Sequence, residues 1–131
     1  MDFIKLAKER RSIRKFTEQE ISDELIEQLL ISAMAAPSAR NMQPWEFYVV
    51  KSKELQNDIK GSFKNYDFNS TLTIVVSGNK KRTLTQNDND FWIQDCSAAI
   101  ENILLAATMK GYGSCWIGVC PVEERLEMAN K

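Results

Sequence analysis

Apolar positions along the chain alternate between helical spacing and short unbroken runs, and this alternation predicts the elements. Asp2 caps a short helix in which Phe3, Ile4, Leu6 and Ala7 lie on or near one face, and the stretch from Lys8 to Arg14 closes it in a basic cluster. Ser22 is a good N-cap for a helix of about 12 residues carrying Leu25, Ile26, Leu29, Leu30 and Ala33 at three-and-four spacing. The prolines and small residues of 35–44 predict an ordered loop, with Pro37 biasing Ala36 away from helix. Phe47 to Val50 is an aromatic and β-branched run that predicts a strand buried on both faces. Ser52 caps a further helix with Leu55, Ile59 and Phe63 roughly in register and Gly61 weakening its end. Leu72 to Val76 predicts a second strand, and the polar stretch from Gly78 to Asp90 a surface loop.

The longest helix is predicted from Phe91 to Lys110. Ile93, Ala99, Ile100, Ile103, Leu104 and Ala107 give it a broad apolar face, and its alanines admit close approach by another element. Gly111 and Gly113 end it, Ser114 to Val119 supplies a third strand, and Pro121 turns the chain into a helical pattern over Glu123 to Ala129. Helices interleaved with apolar strands predict a layered helix, sheet, helix fold in one domain spanning 1–131. No internal repeat breaks it.

Composition narrows the chemistry. Lys plus Arg number 17 and Asp plus Glu 18, a balance that gives no sign of a nucleic-acid partner. There is no histidine, so a His-based nucleophilic triad is excluded and a zinc site would need thiolates and carboxylates alone. Cys96, Cys115 and Cys120 are too few for a disulfide framework, and Cys96 and Cys115 read as small apolar residues. No apolar stretch approaches a membrane span, and the start is unlike a signal peptide, so a cytoplasmic location is expected.

Three clusters could carry binding chemistry. Arg10, Arg11, Ser12 and Arg14 set guanidinium groups and a hydroxyl side by side, a donor set suited to phosphate. A solvated basic helix end accounts for the same residues. Ser38, Arg40, Asn41 and Gln43 form a second group, whose amides match the carbonyl and N–H edge of a heterocycle or equally serve a capped turn. Gly111 to Ser114 either ends the helix or lets backbone approach a flat ligand; it follows a helix and precedes a strand, the reverse of a dinucleotide fingerprint. Trp45 reads as a core or interface residue, and Lys81 and Arg82 as solvated loop charges.

Three segments, Arg10 to Phe16, Ala36 to Trp45, and Asp95 to Ala107 followed by Gly111 to Gly118, resemble the nitroreductase family in content and order. The resemblance implies an α+β fold, a nitroreductase-like three-layer helix/sheet/helix with a mostly antiparallel sheet. It further implies an FMN-dependent homodimer with flavins at the subunit interface, a long helix in that interface, and NAD(P)H as electron donor to nitroaromatics, quinones or flavins. On this reading Arg10, Arg11, Ser12 and Arg14 contact the flavin phosphate, ribityl chain and ring edge. Asn41 and Gln43 supply polar contacts, Pro37 and Ser38 meet the flavin from the partner subunit, and Gly113, Ser114, Ile117 and Gly118 run near the ring. No residue is assigned as catalytic and none as a metal ligand. Two departures from the family pattern accompany the match: a short interval between the Phe47 strand and the long helix, and no counterpart up to Lys131 of the usual later strand, glycine–proline turn and basic residue. A phosphate lacking that distal cation is expected to bind more weakly by about 1.5 to 3 kcal/mol. The alternative is a flavin-binding or structural homodimer with little or no turnover.

Overall fold

The computed structural model describes residues 1–62, 69–86 and 89–119. Its elements in chain order are α1 (Phe3–Glu9), α2 (Asp23–Met34), a 3-10 turn (Ala39–Asn41), β1 (Trp45–Val50), α3 (Lys53–Ser62), β2 (Thr73–Gly78), the two-residue strands β3 (Thr85–Gln86) and β4 (Asn89–Asp90), and α4 (Trp92–Met109). The expected caps are in place. Asp2 accepts from the Lys5 N–H at 3.0 Å, Ser22 from Leu25 at 3.2 Å and Ser52 from Leu55 at 3.3 Å, each satisfying a donor that the first helical turn leaves open.

The core lies between α2, α4 and one face of an antiparallel β1–β2 pair. Leu25, Leu29 and Ala33 of α2 pack with Cys96, Ala99, Ile103 and Ala107 of α4, and Trp45 closes the cluster from the strand. Burying each large aliphatic side chain contributes about 1.5 to 3 kcal/mol. Ala33 and Ala99 are fully buried, so the two helices meet over methyl groups. Asn102 Nδ2 donates across the pair to the Ser32 carbonyl at 2.9 Å. The small residues thus let a polar side chain bridge the helices.

Strand register pairs Phe47 with Val76 and Tyr48 with Val75. Trp45, Phe47, Ile74 and Val76 face the helices, while Tyr48 on the alternate face is 53% exposed. The expectation of a strand buried on both faces is therefore corrected: β1 alternates, because α2 and α4 cover one side of the pair. On the other side Glu46 accepts from Asn79 Nδ2 at 3.0 Å and from the Tyr48 hydroxyl at 3.1 Å. These bonds, joined by the nearby Arg82 charge, hold the Glu46 carboxyl below the usual carboxylate range. Arg82 also donates to the Trp45 carbonyl at 3.1 Å. It is exposed, as expected of a solvated charge, and also braces β1.

Two other expectations change. The 78–90 stretch is not all loop, since β3 and β4 pair antiparallel, Thr85 with Asp90 and Gln86 with Asn89. Residues 114–119 form no strand; a single parallel bridge joins Ser114 to Ser12, and a strand requires a run of such partners. The helical pattern over Glu123 to Ala129 lies outside the described residues, as does Cys120. No helix among the described residues is long and apolar enough to cross a membrane.

Candidate functional site

Between α1 and α2 the chain runs along the segment that follows α4. The Ile13 N–H donates to the Ser114 carbonyl at 2.9 Å, beside the Ser12–Ser114 bridge. Gly113 makes this approach possible. A Cβ built on it would lie 2.9 Å from the Cβ and Cγ2 of Ile13, closer than side chains pack. The basic cluster and the glycine segment, far apart in sequence, therefore form one seam. Further along, Asn69 clasps Phe16, accepting its N–H at 2.9 Å and donating to its carbonyl at 2.6 Å. Thr71 holds the Gln19 carbonyl at 2.8 Å. The strap after the basic cluster is thus fastened to the approach to β2.

The cations of the cluster have different surroundings. Arg11 donates to the Lys8 carbonyl and, at 2.8 Å, to the Arg10 carbonyl, so it serves the open C-terminal turn of α1. Arg10 lies 3.9 Å from the Glu101 carboxylate of α4. Arg14 is exposed and has no partner among the described residues, and Ser12 is exposed beside it. The Oγ of Ser114 is buried with no hydrogen-bond partner among the described residues. An exposed guanidinium and two hydroxyls, of which the guanidinium and the Ser114 Oγ have no partner among the described residues, make this stretch able to receive an anion.

The loop between α2 and β1 is built under backbone strain. Arg40, Asn41 and Gln43 have φ of 50°, 56° and 50°, a left-handed conformation that Asn tolerates and that Arg and Gln disfavour. Ser38 braces it from within, its carbonyl accepting from the Asn41 N–H at 3.0 Å and its Oγ from the Gln43 N–H at 3.0 Å. Gln43 Nε2 donates to Asn41 Oδ1 at 3.1 Å. This leaves the Asn41 amide donors and the Gln43 carbonyl oxygen side by side and exposed, a paired donor and acceptor. Pro37 is exposed at the start of the loop, and the buried Pro44 ends it.

The structure joins Ser12 with Ser114 and sets Ile13 against Gly113, and it pairs Asn41 with Gln43. No hydrogen bond or ion pair among the described residues joins the Ser38–Gln43 loop directly to the Arg10–Arg14 segment. Ile117 and Gly118 follow the seam and are half-buried. Trp45 is a core residue. Sequence reasoning missed Asp95, whose Oδ1 accepts the Ala39 N–H at 2.9 Å and which is buried under the loop. The available signal was an acidic residue in the first turn of a helix whose adjoining Cys96 and Ala99 are apolar. An open groove between α2 and β1, lined by Ile26, Leu30, Ile31, Met34 and Val49, contains none of these polar residues. The described residues hold no cluster of three or more potential metal-ligating side chains.

Known proteins resemble this chain over most of its length. The model of the nitroreductase family matches residues 7–68 and 65–130. A protein of Archaeoglobus fulgidus, provisionally named NADH dehydrogenase/NAD(P)H nitroreductase, is 47% identical over 126 residues, covering 95% of this chain and 71% of its own. The crystal structure of a similarly named protein from Parabacteroides distasonis superposes with a TM-score of 0.87 at 32% identity, over 97% of this chain and 74% of that one. A Desulfovibrio desulfuricans structure described as a nitroreductase in complex with FMN superposes with a TM-score of 0.83 at 27% identity, over 98% of this chain and 72% of that one. The helices and the antiparallel sheet match the three-layer architecture of these structures. The chain belongs to the nitroreductase family.

Proposed function

We propose that the chain is an FMN-dependent oxidoreductase, working as a cytoplasmic homodimer, that takes electrons from NAD(P)H and passes them to small electron-poor aromatics such as nitroaromatics, quinones or flavins. The observation that carries this reading is the seam at Ser12 and Ser114, which brings two of the family's segments into contact, with the exposed Arg14 two residues on and without a partner among the described residues. The residues present fit the cofactor. Ser114 Oγ needs a partner, Arg14 offers a rigid fork of donors to a phosphate or an electron-rich ring edge, and Asn41 with Gln43 presents the donor and acceptor pair that a flavin's carbonyl and N–H edge would meet.

FMN, when bound, supplies reversible electron transfer between a nicotinamide and a second substrate. The chain's own task is to bind, orient and balance charge. Ser12 and Arg14, with Arg10 close in sequence, would hold the anionic end, and the fixed positive charge of Arg14 would balance negative charge on the bound group. Ile117 and Gly118 would line the ring, and Pro37 and Ser38 would approach it from the partner subunit. Such chemistry needs no histidine. Phe3 and Ile4 of α1 are 64% and 62% exposed, apolar surface of a kind that a second copy of the chain would cover.

An absorbance spectrum of the gently purified protein, followed by FMN titration, tests the reading. Bound flavin and oxidation of NADH or NADPH in the presence of a quinone or nitroaromatic are expected. A colourless chain that takes up no FMN overturns it, and bound FMN without NAD(P)H oxidation leaves only a flavin-binding dimer.

A further inference from the structure

Asp95 is 5% exposed in the first turn of α4, where the helix N-terminus favours negative charge. Its Oδ1 accepts the Ala39 N–H at 2.9 Å, and its Oδ2 is buried with no partner among the described residues. Packing alone does not account for this side chain. A leucine would fill similar space without burying an unpaired oxygen, which is unfavourable. What the carboxylate does and an apolar side chain does not is accept a hydrogen bond, and a charged acceptor makes a stronger one.

The group it holds is where the strain lies. Ala39 opens the 3-10 turn, and left-handed Arg40, Asn41 and Gln43 follow at once. The Ser38 bonds and the Gln43–Asn41 bond are braces within the loop and would travel with it. Asp95 ties that braced unit to the rigid, buried face of α4, four residues before Ala99 in the core.

We propose that Asp95 is a positioning residue that clamps the Ser38–Gln43 loop in its left-handed form, so that the Asn41 and Gln43 amides are presented together before a ligand arrives. The value of this preorganisation for cofactor binding rests on the FMN reading above.

The test uses the wild-type chain with Asp95→Asn, which keeps an acceptor oxygen, Asp95→Leu, which fills the space without one, and Ile103→Val, which trims the same core away from the loop. Amide hydrogen exchange is read over residues 38–43 of the FMN-free protein, and FMN affinity by titration. Ala39 should be protected in the wild type. Asp95→Leu should speed exchange there and raise the FMN dissociation constant, each by about tenfold or more, as loss of a charged hydrogen bond implies. Asp95→Asn should recover most of both, and Ile103→Val should lower thermal stability while moving neither. An unprotected Ala39 amide in the wild type overturns the clamp even if Asp95→Leu fails to fold. Equal behaviour of Asp95→Leu and Asp95→Asn overturns it too. A wild-type chain that binds no FMN sinks the cofactor reading alone, because the exchange contrast still decides the clamp.

Discussion

Replacing Gly113 with alanine adds one methyl group at the tightest point of the seam. Gly113 does not occupy the left-handed region, unlike Gly111 at a φ of 83°, so alanine suits the backbone and only the contact changes. The new Cβ would sit 2.9 Å from Ile13 Cβ and Cγ2 and 3.0 Å from Cγ1, against about 3.5 to 4.0 Å for an ordinary carbon contact. Rotating Ile13 moves its γ carbons but leaves its Cβ in place, so the segments must part by roughly half an ångström or more. The neighbouring bond from Ile13 N–H to Ser114 O, 2.9 Å long, would stretch with them. Overpacking of this kind costs about 1 to 3 kcal/mol, and loss of the backbone bond about 0.5 to 1.5 kcal/mol more. At about 3 to 5 °C per kcal/mol for a chain of this size, a melting-point drop of several degrees is expected. FMN affinity should fall with it, because Ser12, Arg14 and Ser114 are carried on the two segments being separated. Ile13→Ala in the Gly113→Ala background removes two of the three close contacts and should restore part of both losses. Gly61→Ala is the matched control. It lies in α3 with nothing within 4 Å of the added carbon, and should raise stability by about 0.5 to 1 kcal/mol. If Gly113→Ala melts and binds FMN as the wild type does, the seam is not the constraint described.

Other substitutions separate the remaining roles. Arg14→Ala should raise the FMN dissociation constant by about tenfold or more, as loss of a charged hydrogen bond implies, whereas Lys81→Ala should leave it unchanged; equal effects in the titration would remove Arg14 from the site. Cys96 has its thiol pushed up to about 11 from an ordinary 9.0, by burial first and the Asp95 charge second. Unfolding therefore releases a proton between those values, so the stabilisation from a neutral Cys96 is intact below pH 9 and declines as the pH rises toward 11. Denaturant titrations of the wild type and Cys96→Ala should show the stability difference shifting against the wild type by about 2 to 3 kcal/mol across that range. Alkylation of the native protein at pH 8, read by peptide mass spectrometry, should modify the half-buried Cys115 and spare Cys96. Gly78→Ala should disturb the start of α4, since its added carbon would lie 2.5 Å from the Trp92 ring, and a shift in tryptophan fluorescence would report it.

Local chemistry made much of the fold readable in the sequence. Asp2, Ser22 and Ser52 each announce a helix because the capping bond is made to a residue three positions on, and all three form it. The small-residue face of α4 likewise anticipates its place against α2. Where the sequence misled, the deciding partner was distant. Ser114 to Val119 has strand composition, but composition does not supply a neighbouring ladder, and among the described residues the bridge to Ser12 is the one pairing it makes. Phe47 to Val50 looks doubly buried until register shows that Tyr48 and Val75 share the uncovered face. Arg82 looks like a loop charge until β1 brings Glu46 and the Trp45 carbonyl to it.

The candidate site shows the same division more sharply. Gly113 is legible as a position that tolerates close approach, yet nothing near it in sequence names Ile13 as the residue that approaches. The basic cluster is legible as three guanidinium groups, but their roles diverge only when α1 ends and α4 arrives: Arg11 turns back to its own helix, Arg10 meets Glu101, and Arg14 stays exposed without a partner among the described residues. Asp95 is the furthest from legibility, because a carboxylate early in a helix has an ordinary explanation in the helix dipole. Only its 95% burial, its bond to Ala39 and the strain immediately beyond that bond give it a different role. A site made of residues whose identities suit a ligand thus depends on others whose identities do not advertise it. The Asn41–Gln43 pair can offer its donor and acceptor together only while the loop keeps a left-handed backbone that Arg40 and Gln43 disfavour, and α4 is the element rigid enough to keep it there.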